Sequence, residues 1–447
     1  MLAALGFLTV IALLVVVMTK KMSPTGALIA IPVITGVIAS FFIPAEDGAV
    51  MVWENIKALG GYITGSGGIG SVAATGVMFI FSILFFGVLT DAGTFRPIIR
   101  AVLRIVGCDP IKIALGTAVL AAIVHLDGSG AVTFLVCVPA LLPIYDAVGM
   151  KRTTLATIVA LSAGTMNILP WGGPTIRAAA AMGVDVMQLF SPLTVPVLIG
   201  MATVLAFAAL LGAKEKKVLG AAASAVVITE PVLTEEETAL LRPKLFWVNL
   251  ILIVSAVLAL LFSGFAPAVI FMLFFVLAMV INYPSPKEQA ARVNAHAKEA
   301  LMMVSVLFAA GAFTGIMKGT GMIAAMAETL VSILPASLGK AFPVITGMLA
   351  MPSSLLFDPD SFYYGVLPVL SNTAQAFGVE GLYVARAAVL GQMTTGFPVS
   401  PLTASTFLLI GLAGIDLGEH QKKTIPLAFC VTIVMLIAAI LIGAIAL

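Results

Sequence analysis

The chain has 447 residues, of which 61% are hydrophobic and only 10% charged, with a mean hydropathy of +1.16. That composition excludes a water-soluble domain for most of its length and predicts an all-α polytopic membrane protein. The net charge of +2 names no partner, because the basic residues matter by the loops that hold them, and no nucleic-acid partner is expected.

The first apolar run, 2–19, has no basic stretch before it and no small-residue cleavage site after it, so it reads as a retained span. A crossing helix needs about 20 apolar residues. Further spans are predicted at 25–43, 72–90, 153–182 and 188–212. The segment 112–147 is different: two apolar runs flank the polar tip HLDGSG at 125–130, which predicts a re-entrant hairpin. Residues 213–244 hold most of the clustered charge and form a cytoplasmic linker, in which Thr234 and Glu237 of the TEEE run fit a capping box. Spans follow at 245–263, 265–282, 300–317, 382–413 and 421–446, with a second hairpin at 340–376 around FDPDS, 357–361.

The two halves, 1–212 and 245–447, carry one pattern twice. NILPWGGPT at 167–175 and TGFPVSPLT at 395–403 break an apolar span 228 residues apart, pairing Pro170 with Pro398 and Thr175 with Thr403. Gly87 and Gly93 meet Gly315 and Gly321 at the same offset, as Phe134 meets Phe362. Five spans per half is an odd number, so the second copy is inverted. Broken apolar segments at matching places in two halves point to a transporter's binding site, because unwound backbone at membrane depth is tolerated only beside a cavity.

Placing both termini outside puts eighteen of the 23 basic residues in cytoplasmic loops, including Lys20, Lys21, Arg96, Lys151, Lys214 and Lys422. Lys57, Lys318 and Lys340 fall outside, and Arg177 and Arg386 fall within spans. This bias follows the positive-inside rule, and it has hairpin one opening from the cytoplasm and hairpin two from the outside.

The first tip holds Asp127, Gly128, Ser129 and Gly130, with His125 before it and Thr133 one turn later. A helix starting inside the membrane turns unpaired N–H groups toward the cavity and favours an anion. An aspartate there favours a cation or a proton; the plainer reading of Asp127 is a helix cap. The second tip carries Asp358, Asp360 and Ser361, after Ser353 and Ser354; on the plainer reading Asp360 caps the returning helix and Asp358 is solvated. In the first broken span Asn167 precedes the break, Gly172 and Gly173 allow close backbone approach, and Thr175 and Arg177 follow. A guanidinium within a span must pair with an acid, snorkel to an interface or hold a carboxylate ligand, and this applies equally to Arg386. Ser400, Thr403 and their neighbours in the second break resemble hydroxyl ligands for carboxylate oxygens or a small cation. His125 beside Asp127 can relay protons, whereas His296 and His420 read as solvated loop residues. Trp171 fits an interfacial or packing aromatic as well as a cavity wall. Cys108, Cys137 and Cys430 show no metal spacing, and no phosphate loop, zinc-type pair or haem motif appears.

The chain resembles the citrate–divalent-metal:proton symporter family (CitMHS), within the ion transporter superfamily that also contains the dicarboxylate:sodium symporters. The resemblance rests on MTKKMS at 18–23, FGVLTDAGTF at 86–95, LDGSG followed by TF, and above all MNILPWGGPTIR at 166–177. It implies a dimeric inverted-repeat fold with a scaffold and a moving transport unit, working by an elevator motion. It places the substrate region at Asp127–Gly130, Asn167–Thr175, Asp358–Ser361 and Ser400–Thr403. Where the family's first tip usually reads DGDG, this chain has Ser129, which removes one potential cation ligand.

The resulting expectation is no enzyme and no cofactor, but a proton-driven symporter in the plasma (inner) membrane that imports citrate with magnesium or calcium, Asp127, Asp358 and Asp360 carrying the proton or cation. The alternatives are a sodium-coupled di/tricarboxylate or sugar-acid carrier on the same fold, then a channel. Two hairpins entering from opposite faces suit a carrier better than a continuous pore.

Overall fold

The computed structural model of the chain describes all residues except 20, 45–49, 220–234, 336 and 447. The expectations for Lys20 and for the cap at Thr234 lie outside the described residues, as do residues 220–234 of the linker.

The described chain is helical, and its helices start and stop where short polar residues, prolines and glycines stand. The first half contains α1 (Leu2–Met18), α2 (Pro24–Ala39), α3 (Val52–Thr64), α4 (Ile69–Asp91), α5 (Arg96–Val106), α6 (Pro110–Val124), α7 (Gly130–Val148), α8 (Arg152–Met166), α9 (Gly173–Met182), α10 (Val186–Phe190) and α11 (Thr194–Leu219). After the linker come α12 (Glu235–Leu240), α13 (Phe246–Phe262), α14 (Pro267–Asn282), α15 (Pro286–Gly319), α16 (Met322–Ile333), α17 (Ser337–Ser353), α18 (Leu367–Ala376), α19 (Gly381–Val389), α20 (Ala404–Ala413) and α21 (Leu417–Leu441). Ser23 caps α2 by accepting from Gly26 N, with Pro24 in the first helical position, where its missing N–H loses nothing. Asp109 caps α6 in the same way, and the Lys216 ammonium 2.6 Å away holds its carboxyl below the usual carboxylate range.

The C-terminal halves of the two broken spans end alike. α9 stops at Gly183 and α20 at Gly414, both in the left-handed region (φ 67° and 62°) that only glycine adopts freely. Two residues on, Asp185 and Asp416 cap the helices that follow, accepting from Met187 N at 2.8 Å and Gly418 N at 2.7 Å.

Among the described residues seven helices are long and apolar enough to cross a membrane, or eight if α16 and α17, bent by 109°, make one span. They include α6 and α7, the arms of the first predicted hairpin: with 15 and 19 residues, and a 3₁₀ turn at His125–Asp127 extending the first to 18, each arm reaches spanning length. Conversely α1, α2 and α14, predicted as spans, have 16 or 17 residues. Three amphipathic or short helices, α3, α5 and α16, occupy stretches read as loops. Large apolar side chains on α13 and α14 face outward, Trp247 at 70% and Phe262 at 79% exposure, as lipid-facing helices require.

Two groups of helices emerge from the packing. In one, α4 lies against α14 and α15, α2 and α3 against α15, and α1 against α2 and α16. In the other, α6 and α7 pack on α8 as α17 and α18 pack on α19, while α11 and α21 close the back. The two broken spans run through this second group, so the functional residues gather there.

Candidate functional site

At the first tip the chain turns through His125–Asp127 and Gly128 (φ 77°), and Asp127 Oδ1 accepts from Ser129 N at 2.8 Å. Ser129 caps α7, accepting from Val132 N. Only glycine fits at 130, since a Cβ there would stand 2.8 Å from the Phe397 ring of the second break.

Fully buried His125 ties this tip to both breaks. Thr133 Oγ1 lies 2.8 Å from both Ser129 O and His125 Nδ1, so its one proton serves one of the two. Nε2 lies 3.4 Å from Asn167 Oδ1, and the Asn167 amide donates onward to Met393 O at 2.9 Å. Met393 has the one positive φ (51°) of a non-glycine residue among those described, which marks it as a position held by its surroundings. Phe397 stacks between His125 and Phe134, at centroid distances of 6.2 and 5.9 Å. Trp171 is buried rather than interfacial: its indole N–H donates to Leu126 O at 2.7 Å, and its ring lies against Phe86 and Phe271.

The first break runs from Asn167, which ends α8, to Gly172, which opens α9. Gly172 sits so close to the strand it leaves that a Cβ would be 2.1 Å from Asn167 O, and a Cβ on Gly173 would be 2.7 Å from the Arg177 guanidinium. Thr175 donates to Ile168 O at 2.7 Å, which closes the loop on itself. Arg177 takes the first of its three readings, an acid partner: its Nε is 2.7 Å from Asp360 Oδ1, with the two side chains 13% and 12% exposed.

That pair reverses the roles expected at the second tip. Asp358 is the cap, with Oδ1 accepting from Asp360 N and Ser361 N at 3.1 Å and Oδ2 from the Ser361 hydroxyl at 2.5 Å. Asp360 is the counter-ion. The returning chain continues as a π-helical turn, Ser361–Val366, whose Tyr363 hydroxyl donates to Gln392 O in the second break.

The hydroxyls of Thr394, Thr395, Ser400, Thr403 and Thr406 in the second break are not free donors. Thr394 donates to Val389 O, Ser400 to Ser354 O, and Thr403 and Thr406 to Phe397 O, at 2.8, 2.5, 2.7 and 2.9 Å. Thr395 pairs with Thr432. A hydroxyl has one proton, so these groups hold the unwound backbone instead of offering hydrogen bonds to a carboxylate. Ser353 and Ser354 likewise bond carbonyls of their own helix. Arg386 stands apart, donating to Ala444 O and Gln188 O, with no ion-pair partner among the described residues.

Two histidines depart from the solvated reading. α15 begins at Pro286, so His296 is on a helix; its Nε2 is 2.9 Å from Asp91, which also pairs with Arg292 at 3.0 Å. His420 is buried on α21 and donates to Pro398 O at 2.9 Å.

Both tips and both breaks therefore converge, through His125–Asn167, Asn167–Met393, Arg177–Asp360 and Ser400–Ser354. A cavity of about 770 Å³ lies at the second tip and second break, lined by Asp358, Asp360, Pro401 and Thr403 together with Met22 and Pro24; of the Arg177–Asp360 pair it reaches only Asp360. Tyr363, Met393 and Phe397 were not foreseen; only the aromatic at 397 inside a Pro-broken span carries a sequence signal.

The family model for citrate transporters matches residues 2–391. The chain is 42% identical over 443 residues to the citrate transporter of Bacillus subtilis (strain 168), covering 99% of each. It is 39% identical over 450 residues to the Mg(2+)/citrate complex secondary transporter of the same organism, covering 100% of this chain and 99% of that one. Among solved structures it is similar in fold to the Alcanivorax borkumensis YdaH transporter (TM-score 0.57, 16% identity, 90% of this chain and 89% of that one) and to Neisseria gonorrhoeae MtrF (TM-score 0.58, 13% identity, 92% and 94%).

Proposed function

The chain belongs to the citrate transporter family, and from that premise we propose that it imports citrate as a complex with magnesium or calcium, in symport with protons, by alternating access. The observation that carries this reading is the convergence of two tips and two breaks on one place, with Arg177 of the first half bound to Asp360 of the second. The helix starts at Ser129–Gly130 and Gly172–Gly173 offer first-turn amides to carboxylates, and the terminal guanidinium N–H groups of Arg177, whose Nε is paired with Asp360, offer donors to a third. Asp127 and Asp358 take the proton or face the cation. Chelation cancels charge before citrate enters a low-dielectric site, and the relative named for the Mg(2+)/citrate complex supports that form of the substrate.

The two helix groups suit a fixed frame and a moving unit, and the matched Gly183–Asp185 and Gly414–Asp416 ends suit a repeat; on this reading the repeats are inverted and each carries a re-entrant hairpin. On the same reading the protein is a homodimer in the plasma membrane with both termini outside. The test is uptake of labelled citrate into proteoliposomes, with and without magnesium or calcium, at two pH values, for wild type and Asp127→Asn. Uptake that needs the metal, rises with an inward proton gradient and falls in the variant is expected; metal-independent uptake untouched by the mutation would overturn the proposal.

A further inference from the structure

A cleft of about 670 Å³ opens between the N-terminal ends of α8 and α21, on the face that the basic loops put in the cytoplasm. Its walls carry Lys151, Arg152, Lys422 and Lys423 against a single acid, Glu419. Arg152 is neutralised by Asp146, which accepts from it at 2.8 and 2.7 Å. Lys423 donates to Thr154, and Thr154 donates to buried Glu215, both at 2.5 Å. Lys151 and Lys422 have no acid within ion-pair distance among the described residues, and Lys151 and Lys214 are near enough to Lys423 to repel it. Like charges gathered in one concavity concentrate anions. The N-cap of α8, Lys151, makes no side-chain cap bond, so the first-turn amides of that helix add positive potential at the same spot.

We propose that this cleft binds a small, multiply charged oxyanion, carboxylate or phosphate in type, and that its occupancy holds the second break and slows the carrier. The volume suits a small molecule. The link to the break is the alternation of faces along α21. Glu419, Lys422 and Lys423 line the cleft, while His420 and Gln421 between them donate to Pro398 O and Val399 O, each at 2.9 Å. An anion that draws the starts of α8 and α21 together thereby fixes the backbone at 398–399. The site is separate from the substrate cavity, so its binding of the anion stands or falls independently of the citrate reading, whereas its effect on uptake rests on that reading.

Inorganic pyrophosphate is the probe, because it is multiply charged and is not a carboxylate. Calorimetry and thermal unfolding would be run in nanodiscs of neutral lipid and in discs with added phosphatidylglycerol, on wild type, Lys151→Gln/Lys422→Gln and Glu419→Gln. Saturable binding to wild type, weakened about tenfold in the double lysine variant and tightened by Glu419→Gln, is expected; a misfolded protein cannot give the second effect. Binding in neutral discs assigns a free solute. Stabilisation by phosphatidylglycerol that pyrophosphate does not increase, and that the lysine variant loses, assigns a lipid headgroup. Pyrophosphate trapped inside right-side-out vesicles should slow substrate uptake by wild type and not by the lysine variant. No saturable effect of either anion, or one that the lysine variant keeps, overturns the site, and binding that leaves uptake unchanged overturns its hold on the break.

Discussion

The guanidinium of Arg177 and the carboxylate of Asp360 meet at 2.7 Å across 183 residues of sequence, and this ion pair fastens the first broken span to the second tip. Both side chains are almost out of reach of water, so removing either partner strands a charge that burial had tied to its mate. Arg177→Met or Asp360→Asn alone is expected to lower stability by about 3–5 kcal/mol. The double variant should recover part of that loss, because two neutral side chains leave no charge unpaired. Thermal unfolding of the four proteins in detergent measures the coupling; additive losses would mean that the pair does not act as a unit.

Backbone, not side chain, sets the tolerance at the crossing of α8 with the second break. A Cβ on Gly164 would stand 2.6 Å from Thr394 O and 2.9 Å from Thr395 Cα, and neither can swing aside as a side-chain end would. Gly164→Ala should therefore displace the break, lowering stability by about 1–3 kcal/mol and uptake with it. Gly61, inside α3, has nothing within 4 Å of its Cβ position. There alanine only stiffens the helix, and Gly61→Ala should raise stability by up to about 1 kcal/mol. Opposite signs for the two substitutions in one unfolding assay are the expected result.

The places where the chain unwinds were legible because proline and glycine announce them: Pro170, Gly172 and Pro398 fall in the observed breaks, and Gly128 in the first turn. Direction was not legible. Which carboxylate of FDPDS caps its helix and which meets an arginine depends on a partner far along the chain, and no local pattern at Asp358 or Asp360 encodes it. The hydroxyls of the second break were visible as residues, but their acceptors, such as Phe397 O and Ser354 O, exist only once the loop has closed. His420 was read as solvated because the last helix was expected to begin at 421; Asp416 caps it four residues sooner and carries the ring inside.

Committed donors make a separable prediction for the threonines of the two breaks. Thr175→Val and Thr403→Val each remove one structural hydrogen bond, to Ile168 O and Phe397 O, and should cost about 1 kcal/mol apiece. Neither should shift the KM for citrate by more than about threefold, less than the tenfold worth of 1.4 kcal/mol. A large rise in KM with unchanged stability would instead make these hydroxyls direct ligands.

Asp109 offers a test by pH at the N-terminus of α6. Its carboxylate accepts from Ile111 N and faces the Lys216 ammonium, and the lysine is the chief reason its folded pKa is depressed. A depressed carboxyl contributes stability that is present above its unfolded pKa, about 3.9, and that disappears as pH falls through the lower folded value. Asp109→Ala removes cap and charge together and should cost about 1 kcal/mol near neutral pH. Asp109→Asn keeps a capping oxygen and loses only an exposed ion pair, worth about 0–1 kcal/mol. As pH falls below the unfolded value and through the lower folded one, the wild-type carboxyl takes up its proton, so its advantage over the asparagine variant should fade there while its advantage over alanine persists in part. Unfolding midpoints of the three proteins at neutral and acid pH measure both terms, and a gap between wild type and Asp109→Asn that widens in acid would show that Lys216 does not hold this carboxylate.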